Sequence, residues 1–470
     1  MRKIILLITI LILQLTALNA QTLPAEIAGK WMGKLNVGIE LRLVFNFEIS
    51  GDTIYTTIDS PDQGVNGIPT EKTTLIDNEI TITIPVIGGS FIGKFYADSS
   101  IINGNWFQSG GSIPIILSKV DFVEPLKRPQ NPVKPYPYKE ENVVFKNKNT
   151  DDVFLAGTLT IPPGSGPFKA VILVSGSGQQ NRDEFILGHS PFLVLSDRLT
   201  RNGIIVLRYD DRGVGESTGD FNTATTKDFA GDANAAVKYL KSRKDLNISE
   251  IGIAGHSEGG LIAPMTATEN KDVDFIVLLA GPGIPGDSIL NLQGDLIAKA
   301  SGFTDSMLFY YSSIRRSIIK VVIEEHDLNV ITQKIITLNK EFLRTTPQYI
   351  LDQMQISEND TTNAVDFYAN VWTKYFLSYD PRPTLEKLKI PVLALNGTND
   401  LQVPYKENLS AIEEALKKSR SENYKVLEMK GLNHLFQVSN TGSPGEYSTL
   451  EETFNEDTME IIANWILQLR

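Results

Sequence analysis

Ser257, which has a glycine two positions away on each side, is the strongest candidate for a catalytic residue in the sequence. It is the centre of Gly-His-Ser-Glu-Gly at residues 255–259, which follows an apolar, strand-like run at 251–254 and precedes a helix-like stretch at 260–267. Small residues two positions away on both sides allow a serine to occupy a strained turn between a strand and a helix, where its hydroxyl is exposed. The pattern is weak by itself, but this context predicts that Ser257 is a nucleophile.

A serine hydroxyl needs a positioned base, and the chain offers only four histidines. His256 lies inside the serine motif and cannot turn back onto its neighbour, and His326 lies in a long helical interval. His189 precedes the serine, downstream of a glycine-rich loop. His434 remains, in a Gly-Leu-Asn-His loop after an apolar run at 425–427. We therefore predict His434 as the base, the alternative being an ordinary surface-loop histidine.

An acid that orients the base is expected on a loop after a late strand. Asp400 follows an apolar run at residues 392–395 and Gly397, so it satisfies that requirement. Asn-Asp is also a good turn pair, and a turn aspartate is the structural alternative. The sequence favours Asp400 as the acid.

Acyl transfer also requires hydrogen-bond donors for the oxyanion that forms on the carbonyl oxygen, usually two main-chain amides. One is expected to be the amide of Glu258, directly after the serine. The other is expected in the Ser-Gly-Ser-Gly loop at residues 175–178, after an apolar run at 170–174. Ser177 is the predicted second donor, with Gly178 next. The loop lacks the lysine of a phosphate-binding P-loop and the spacing of a dinucleotide site.

Composition restricts the classes of partner. The chain has 470 residues, a formal net charge of -12 and no cysteine. The acidic balance argues against nucleic acid and anionic membrane surfaces as partners. The absence of cysteine excludes disulfides and thiolate metal sites. A small, neutral or weakly charged substrate is the expected partner, and the oligomeric state is not indicated.

The first residues resemble a secretory signal peptide. Arg2 and Lys3 precede an apolar run at residues 4–13, and the small residues Ala17 and Ala20 follow. A membrane anchor is the alternative, but the run is shorter than the roughly 20 residues that a spanning helix needs. Cleavage after Ala20 is expected, giving an exported, periplasmic or extracellular protein without a membrane span.

The rest of the chain divides at a proline-rich stretch. Residues 21–124 are predicted to form an antiparallel β domain, either a sandwich or a small barrel, because short alternating segments are separated by Gly, Asn and Asp. The predicted strands are 40–49, 53–58, 79–84, 90–95, 101–107 and 115–120. Five prolines between Pro125 and Pro137 predict a semi-rigid linker at residues 125–138.

Residues 139–470 alternate between apolar strands and amphipathic helices, which predicts a mostly parallel sheet with helices on both faces. The predicted strands are 170–174, 204–207, 251–254, 275–280, 392–395 and 425–427, and the predicted helices include 192–201, 228–241 and 407–418. The interval of about 286–388 is helical in period and is expected to be an inserted lid. Its aromatic residues are expected to pack in the core or, alternatively, to line an acyl pocket.

Several motifs in the second part of the chain resemble those of bacterial α/β-hydrolases of the EstD-like, serine aminopeptidase-like group. They are Ser-Gly-Ser-Gly at 175–178, Asn-Arg-Asp-Glu at 181–184, Arg-Tyr-Asp-Asp-Arg-Gly at 208–213, residues 255–260, Leu-Ala-Gly-Pro at 279–282, Asp-Leu-Gln-Val-Pro at 400–404 and residues 431–434. The resemblance implies the α/β-hydrolase fold, a Ser257-Asp400-His434 triad, carboxylesterase activity on short acyl esters and no cofactor or metal. It also implies an N-terminal β domain, here expected to be barrel-like. Gln180 and Asn181 depart from the family pattern.

Other interpretations stay open at this point. The same triad also suits a peptidase or an acyl thioesterase, and a non-catalytic exported protein that binds a glycan or lipid belongs to a different class. The charged residues Arg182, Asp183, Asp211 and Arg212 could contact substrate, but a role in holding two loops together is favoured.

Overall fold

The computed structural model describes residues 23–37, 40–63, 65–108, 111–124, 126–150, 152–354, 356, 360–419, 421 and 423–469. The predicted signal peptide at residues 1–20 and Pro125 of the predicted linker lie outside these residues. The described chain contains one sheet of nine strands and one of eight.

The first sheet is antiparallel and closes into a barrel. Its strands are β1 (Gly29–Asn36), β2 (Glu40–Ser50), β3 (Thr53–Ser60), β4 (Val65–Pro69), β5 (Thr73–Ile76), β6 (Glu79–Ile84), β7 (Gly89–Tyr96), β8 (Ile101–Gln108) and β9 (Gly111–Val120). Pairing of β2 with β3 closes an eight-stranded ring, and β4 pairs with β3 outside it. Large side chains fill the interior, among them Trp31, Phe45 and Phe91, which are fully buried.

Three strands of the first sheet, β1, β4 and β5, were absent from the predicted list. β4 and β5 are only five and four residues long, and glycines interrupt the apolar pattern of β1. They form strands because their neighbours supply main-chain partners, a long-range effect that overrides weak local preference.

The second sheet is mostly parallel. Its strands are β10 (Lys139–Lys146), β11 (Phe154–Ile161), β12 (Phe168–Val174), β13 (Ile205–Tyr209), β14 (Ile248–His256), β15 (Phe275–Leu279), β16 (Val392–Gly397) and β17 (Tyr424–Met429). They lie in the order β10-β11-β13-β12-β14-β15-β16-β17. β10 and β11 pair antiparallel and were not predicted, whereas the pairs from β13 to β17 are parallel.

Helices cover both faces of this sheet, as predicted. They are α1 (Pro191–Arg201), α2 (Thr226–Ser242), α3 (Gly259–Glu269), α4 (Gly286–Ala300), α5 (Asp305–Glu324), α6 (Leu328–Thr345), α7 (Gln348–Met354), α8 (Asp360–Tyr368), α9 (Val371–Ser378), α10 (Arg382–Leu385), α11 (Tyr405–Ser419) and α12 (Glu456–Gln468). One buried cluster joins the sheet to α2, α3 and α11, and another joins its opposite face to α1 and α12. The predicted fold class is therefore confirmed.

Helices α4 to α10 fill the interval between β15 and β16, and the described residues there contain no strand. Phe376 of α9 and Ile289 of α4 pack with Leu261 of α3, so the helical insertion rests beside the start of α3. No α-helix within the described ranges is long and apolar enough to cross a membrane.

The segment between the two sheets packs against the second one. Arg128 donates hydrogen bonds to the carbonyl oxygens of Gly188, Ser448 and Leu450, at 2.9–3.1 Å. Gln130 donates to the carbonyl of Phe454 at 2.7 Å. These bonds attach the segment to loops of the α/β part, while the limits 21–124, 125–138 and 139–470 stay predictions.

Candidate active site

Ser257 occupies a strained turn between β14 and α3. Its φ is +52°, in the left-handed region that is costly for a residue with a Cβ. The amide of Ser257 donates to the carbonyl of Leu279 at 2.9 Å, and its own carbonyl accepts from Gly260 at 2.8 Å. Ser257 is partly exposed, whereas its immediate neighbours are buried. The surrounding hydrogen bonds thus hold a strained serine where its hydroxyl can be reached.

The glycines two positions away are required sterically. A Cβ at Gly255 would lie 2.0 Å from the carbonyl oxygen of Gly259, and a Cβ at Gly259 would lie 2.2 Å from that of Val174. Both distances are far below van der Waals contact and involve main-chain atoms. Only glycine fits at these two positions.

Asp400 and His434 meet on neighbouring loops, after β16 and β17. Oδ2 of Asp400 lies 2.8 Å from Nδ1 of His434, and both residues are buried. Oδ1 of Asp400 accepts from the amides of Gln402 and Val403, each at 2.8 Å, so the carboxylate is fixed in orientation. Since Nδ1 is bonded to the carboxylate, Nε2 is the ring nitrogen that remains for proton transfer.

The loop that carries His434 lies against the serine turn. The imidazole rings of His434 and His256 are 4.7 Å apart between centroids, and Nε2 of His256 lies 2.9 Å from the carbonyl oxygen of His434. Because His256 precedes Ser257 in the turn, the structure brings the predicted acid, base and nucleophile loops to one edge of the sheet. The assignment of catalytic roles to these residues stays a prediction.

The loop after β12 passes over the serine. A Cβ at Gly176 would lie 3.1 Å from Cβ of Ser257. The amide of Gly176 donates to Glu184, whereas those of Ser177 and Glu258 pair with no acceptor among the described residues. The amide of Glu258 also precedes the first turn of α3, where the helix dipole favours negative charge. The two predicted oxyanion donors are thus available for a ligand.

The side chain of Glu258 is buried beneath the turn. Its Oε1 accepts from the hydroxyl of Thr226 at 2.6 Å and from the indole of Trp372 at 2.8 Å. Burial raises the pKa of this carboxyl to about 7, although the two hydrogen bonds act in the opposite direction. Because Trp372 belongs to α9, this bond links the inserted helices to the residue that follows Ser257, a contact that the sequence did not reveal.

The charged residues near the site bind one another. Arg182 donates to Asp210 at 2.6 and 3.0 Å, and Asp211 accepts from Ser175 and from the amide of Gln180 at 2.9 and 3.0 Å. The guanidinium of Arg212 likewise pairs with Asp232 at 2.7 Å. The contacts of Arg182 and Asp211 join the loops after β12 and β13, as the structural interpretation predicts, whereas Arg212 attaches the loop after β13 to α2.

Two side chains at the site were given no role by sequence reasoning. His256 was set aside because it cannot reach its neighbour's hydroxyl, and Glu184 was noted only as part of a motif. Glu184 is buried, and its carboxylate lies 2.8 Å from Nδ1 of His256. Glu184 and His256 are 72 residues apart, so no local pattern in the sequence indicates that they pair. Among the described residues, no cluster of three or more His, Asp or Glu side chains could hold a metal ion.

Comparison with known proteins places the chain in a family. Residues 182–346 match the family described as serine aminopeptidase, S33. The chain is 31% identical over 329 residues to Esterase EstD of Thermotoga maritima, with 69% of this chain and 68% of EstD covered.

Solved structures with a related fold include esterase Pf2001 of Pyrococcus furiosus, at 14% identity and a TM-score of 0.44, covering 74% of this chain and 99% of that one. Est1E of Butyrivibrio proteoclasticus bound to ferulic acid has 15% identity and a TM-score of 0.39, covering 69% and 96%. The chain therefore belongs to the serine-hydrolase family that includes EstD, within the α/β-hydrolase superfamily.

Proposed function

We propose that the protein hydrolyses carboxylic esters of small acyl substrates through an acyl-enzyme intermediate. The observation that carries the proposal is the 2.8 Å bond between Asp400 and His434 on a loop that lies against the strained turn of Ser257. The relative EstD is named an esterase, which supports the ester as the bond that is cleaved.

In this mechanism the hydroxyl of Ser257 attacks the ester carbonyl while Nε2 of His434 accepts its proton. Asp400 holds the ring and stabilises the imidazolium that forms. The amides of Glu258 and Ser177 donate to the oxyanion of the tetrahedral intermediate. Collapse expels the alcohol, which takes the proton from His434. Water, activated by the same base, then attacks the acyl-enzyme, releases the acid and restores the serine.

Turnover of short p-nitrophenyl esters tests the proposal. We expect Ser257→Ala to lower kcat by roughly 10⁴-fold or more, because the nucleophile is lost. Ser249→Ala is a matched control, since Ser249 lies at the opposite end of the same strand and only bonds the carbonyl of Phe168. An unchanged rate in Ser257→Ala protein would exclude the mechanism.

The triad alone does not select the leaving group, and the matched family is described as aminopeptidases. Rates measured side by side on esters, aminoacyl anilides and acyl thioesters distinguish an esterase from a peptidase or a thioesterase. If kcat/KM is higher on the anilides or on the thioesters than on the esters, the proposed activity is that of a peptidase or of a thioesterase instead.

A non-catalytic protein that binds a glycan or lipid is the second candidate, with the β-barrel as the binding part. The barrel interior is filled by buried aromatic side chains such as Trp31 and Phe45, so a ligand would have to bind its outer surface. Polysaccharide or lipid binding by the full chain, together with no hydrolysis of any ester, would favour this candidate.

We also propose that the protein is exported to the periplasm or the extracellular space, because residues 1–20 have the composition of a signal peptide. Cell fractionation and mass spectrometry of the mature chain test this. We expect a mature N-terminus at Gln21, and an intact Met1 in the cytoplasmic fraction would contradict the proposal.

A further inference from the structure

His256 and Glu184 form a buried pair that touches all three loops of the active site. Nδ1 of His256 lies 2.8 Å from Oε1 of Glu184, and Nε2 lies 2.9 Å from the carbonyl oxygen of His434. Glu184 is 1% exposed and His256 is 4% exposed. Oε1 of Glu184 also accepts from the amide of Gly176 at 2.8 Å.

The partners of His256 determine its protonation. A main-chain carbonyl only accepts hydrogen bonds, so Nε2 carries a hydrogen. The carboxyl oxygen that faces Nδ1 also accepts from the amide of Gly176, so it is positioned as an acceptor for a hydrogen on Nδ1. Both ring nitrogens of His256 therefore face acceptors, which is the arrangement that an imidazolium requires.

The electrostatics of the ring agree with this assignment. Burial by itself lowers the pKa of His256, but the charge and hydrogen bond of Glu184 and the carbonyl of His434 more than offset it, so the net pKa is raised. The negative charge of Asp400 acts in the same direction. The charged groups around the ring thus favour the cation.

Glu184 itself adopts a strained conformation. Its φ is +51°, which is costly for a residue with a Cβ, and its amide donates to the carbonyl of Asn181 at 2.9 Å. Such strain persists where surrounding contacts determine it, and the carboxylate contacts with Gly176 and His256 are those contacts. The conformation of the loop after β12 thus directs the carboxylate of Glu184 towards Gly176 and His256.

We propose that the His256–Glu184 ion pair positions the catalytic base and the oxyanion loop: the imidazolium holds the main chain of His434, and the carboxylate holds Gly176. The proposal rests on the proposed function, since it assigns positioning residues to that reaction. Neither side chain touches the reacting atoms. With a neutral amide at position 184, a neutral His256 can donate from only one ring nitrogen, so one of the two loops loses its hydrogen bond.

Kinetics of Glu184→Gln and His256→Gln test the positioning role. Small displacements of catalytic groups cost up to about 100-fold in rate, so we expect kcat to fall by about 10- to 100-fold while KM changes by less than about threefold. Glu184→Asp keeps the charge and should recover part of the lost kcat.

Asp62→Asn is the matched control for loss of a buried carboxylate. Asp62 lies in the barrel and, like Glu184, accepts from a main-chain amide and a cationic side chain, here both of Arg42, at 2.7 and 2.9 Å. We expect its kcat within about twofold of wild type. Wild-type kcat in Glu184→Gln protein, or an equal loss in Asp62→Asn protein, would overturn the proposal.

Imidazole ¹⁵N NMR of the wild-type protein tests the ion pair without any substitution in the pair and without turnover. With four histidines, signals can be assigned from His189→Gln and His326→Gln proteins and from the Asp400-bonded ring of His434. We expect both nitrogens of His256 to be protonated at pH 8, and one nitrogen without a hydrogen would overturn the ion pair. If wild-type protein hydrolyses no ester, the proposed function fails, and the positioning role fails with it. The NMR spectrum still shows independently whether His256 and Glu184 form an ion pair.

Discussion

Glu258→Gln is expected to make the α/β part of the protein more stable above neutral pH. The wild-type carboxyl is buried and its pKa is raised from 4.5 to about 7. Between these values the unfolded chain has released the proton while the folded protein retains it. The folded state then binds more protons, so wild-type stability falls as pH rises through this window and stays low above it. Glutamine has no proton to release.

The size of the effect follows from the pKa difference. One pKa unit corresponds to about 1.4 kcal/mol, so a rise from 4.5 to about 7 corresponds to about 3 kcal/mol. The difference in unfolding free energy between Glu258→Gln and wild type should therefore grow by about 3 kcal/mol in favour of the variant between pH 4.5 and pH 8. The amide can still accept from Thr226 and Trp372, so the hydrogen bonds are largely preserved.

Urea unfolding followed by ellipticity at 222 nm, from pH 4.5 to 8.5, measures this difference. Every α-helix of the described residues lies after residue 190, so this signal reports on the α/β part and not on the barrel. The same substitution at Glu414, exposed on α11, gives the effect of removing a surface carboxylate and is subtracted. A difference that does not change with pH would refute the reasoning. Esterase turnover should change only a few-fold, since the proposed oxyanion donor at this position is the main-chain amide.

Three further substitutions are expected to have separable effects. Asp400→Asn should lower kcat by roughly 10³–10⁴-fold with little change in the melting temperature, because the amide no longer fixes the tautomer of the base; a loss below tenfold in p-nitrophenyl ester turnover would contradict the assigned acid. Gly259→Ala should destabilise the protein by about 2–3 kcal/mol in urea unfolding and abolish turnover, because its Cβ would lie 2.2 Å from a main-chain oxygen of β12; wild-type stability would show that the turn relaxes freely. Trp372→Phe should cost about 1–2 kcal/mol by removing the indole bond to Glu258, and Trp372→Ala should cost more in the same unfolding assay; equal losses would assign the contribution to the hydrogen bond alone.

Sequence reasoning reached the parts of the site that have local patterns. The glycines around Ser257, the apolar run before it and the helix after it are adjacent in the chain, so the serine turn has a local pattern, although the main chain of Leu279 and Val174 also shapes it. The scarcity of histidine singled out His434, and the turn after a buried strand singled out Asp400. Strands of the parallel sheet were predicted for the same reason, because fully buried strands are continuous apolar runs.

The two antiparallel strands β10 and β11 were missed for different reasons. Half of the residues of β10 are exposed and its first four are polar, whereas β11 is almost fully buried but its apolar run is interrupted by Gly157, Thr158 and Thr160. Other features depended on contacts between distant segments. Residues 184 and 256 are 72 positions apart, and residues 256 and 434 are 178 apart, so their hydrogen bonds follow from the order of strands in the sheet. The bond from Trp372 to Glu258 similarly depends on how the inserted helices fold back over α3.

The sequence by itself determined the position of the Ser257 turn and the chemical types of its predicted partners, because those depend on residue identity and on neighbours within a few positions. Only the tertiary structure decided that Glu184, in the loop after β12, meets His256 beside Ser257, and that His256 in turn bonds the main chain of His434. Such contacts form where separate chain segments converge at one sheet edge, and local propensity does not encode which of them converge.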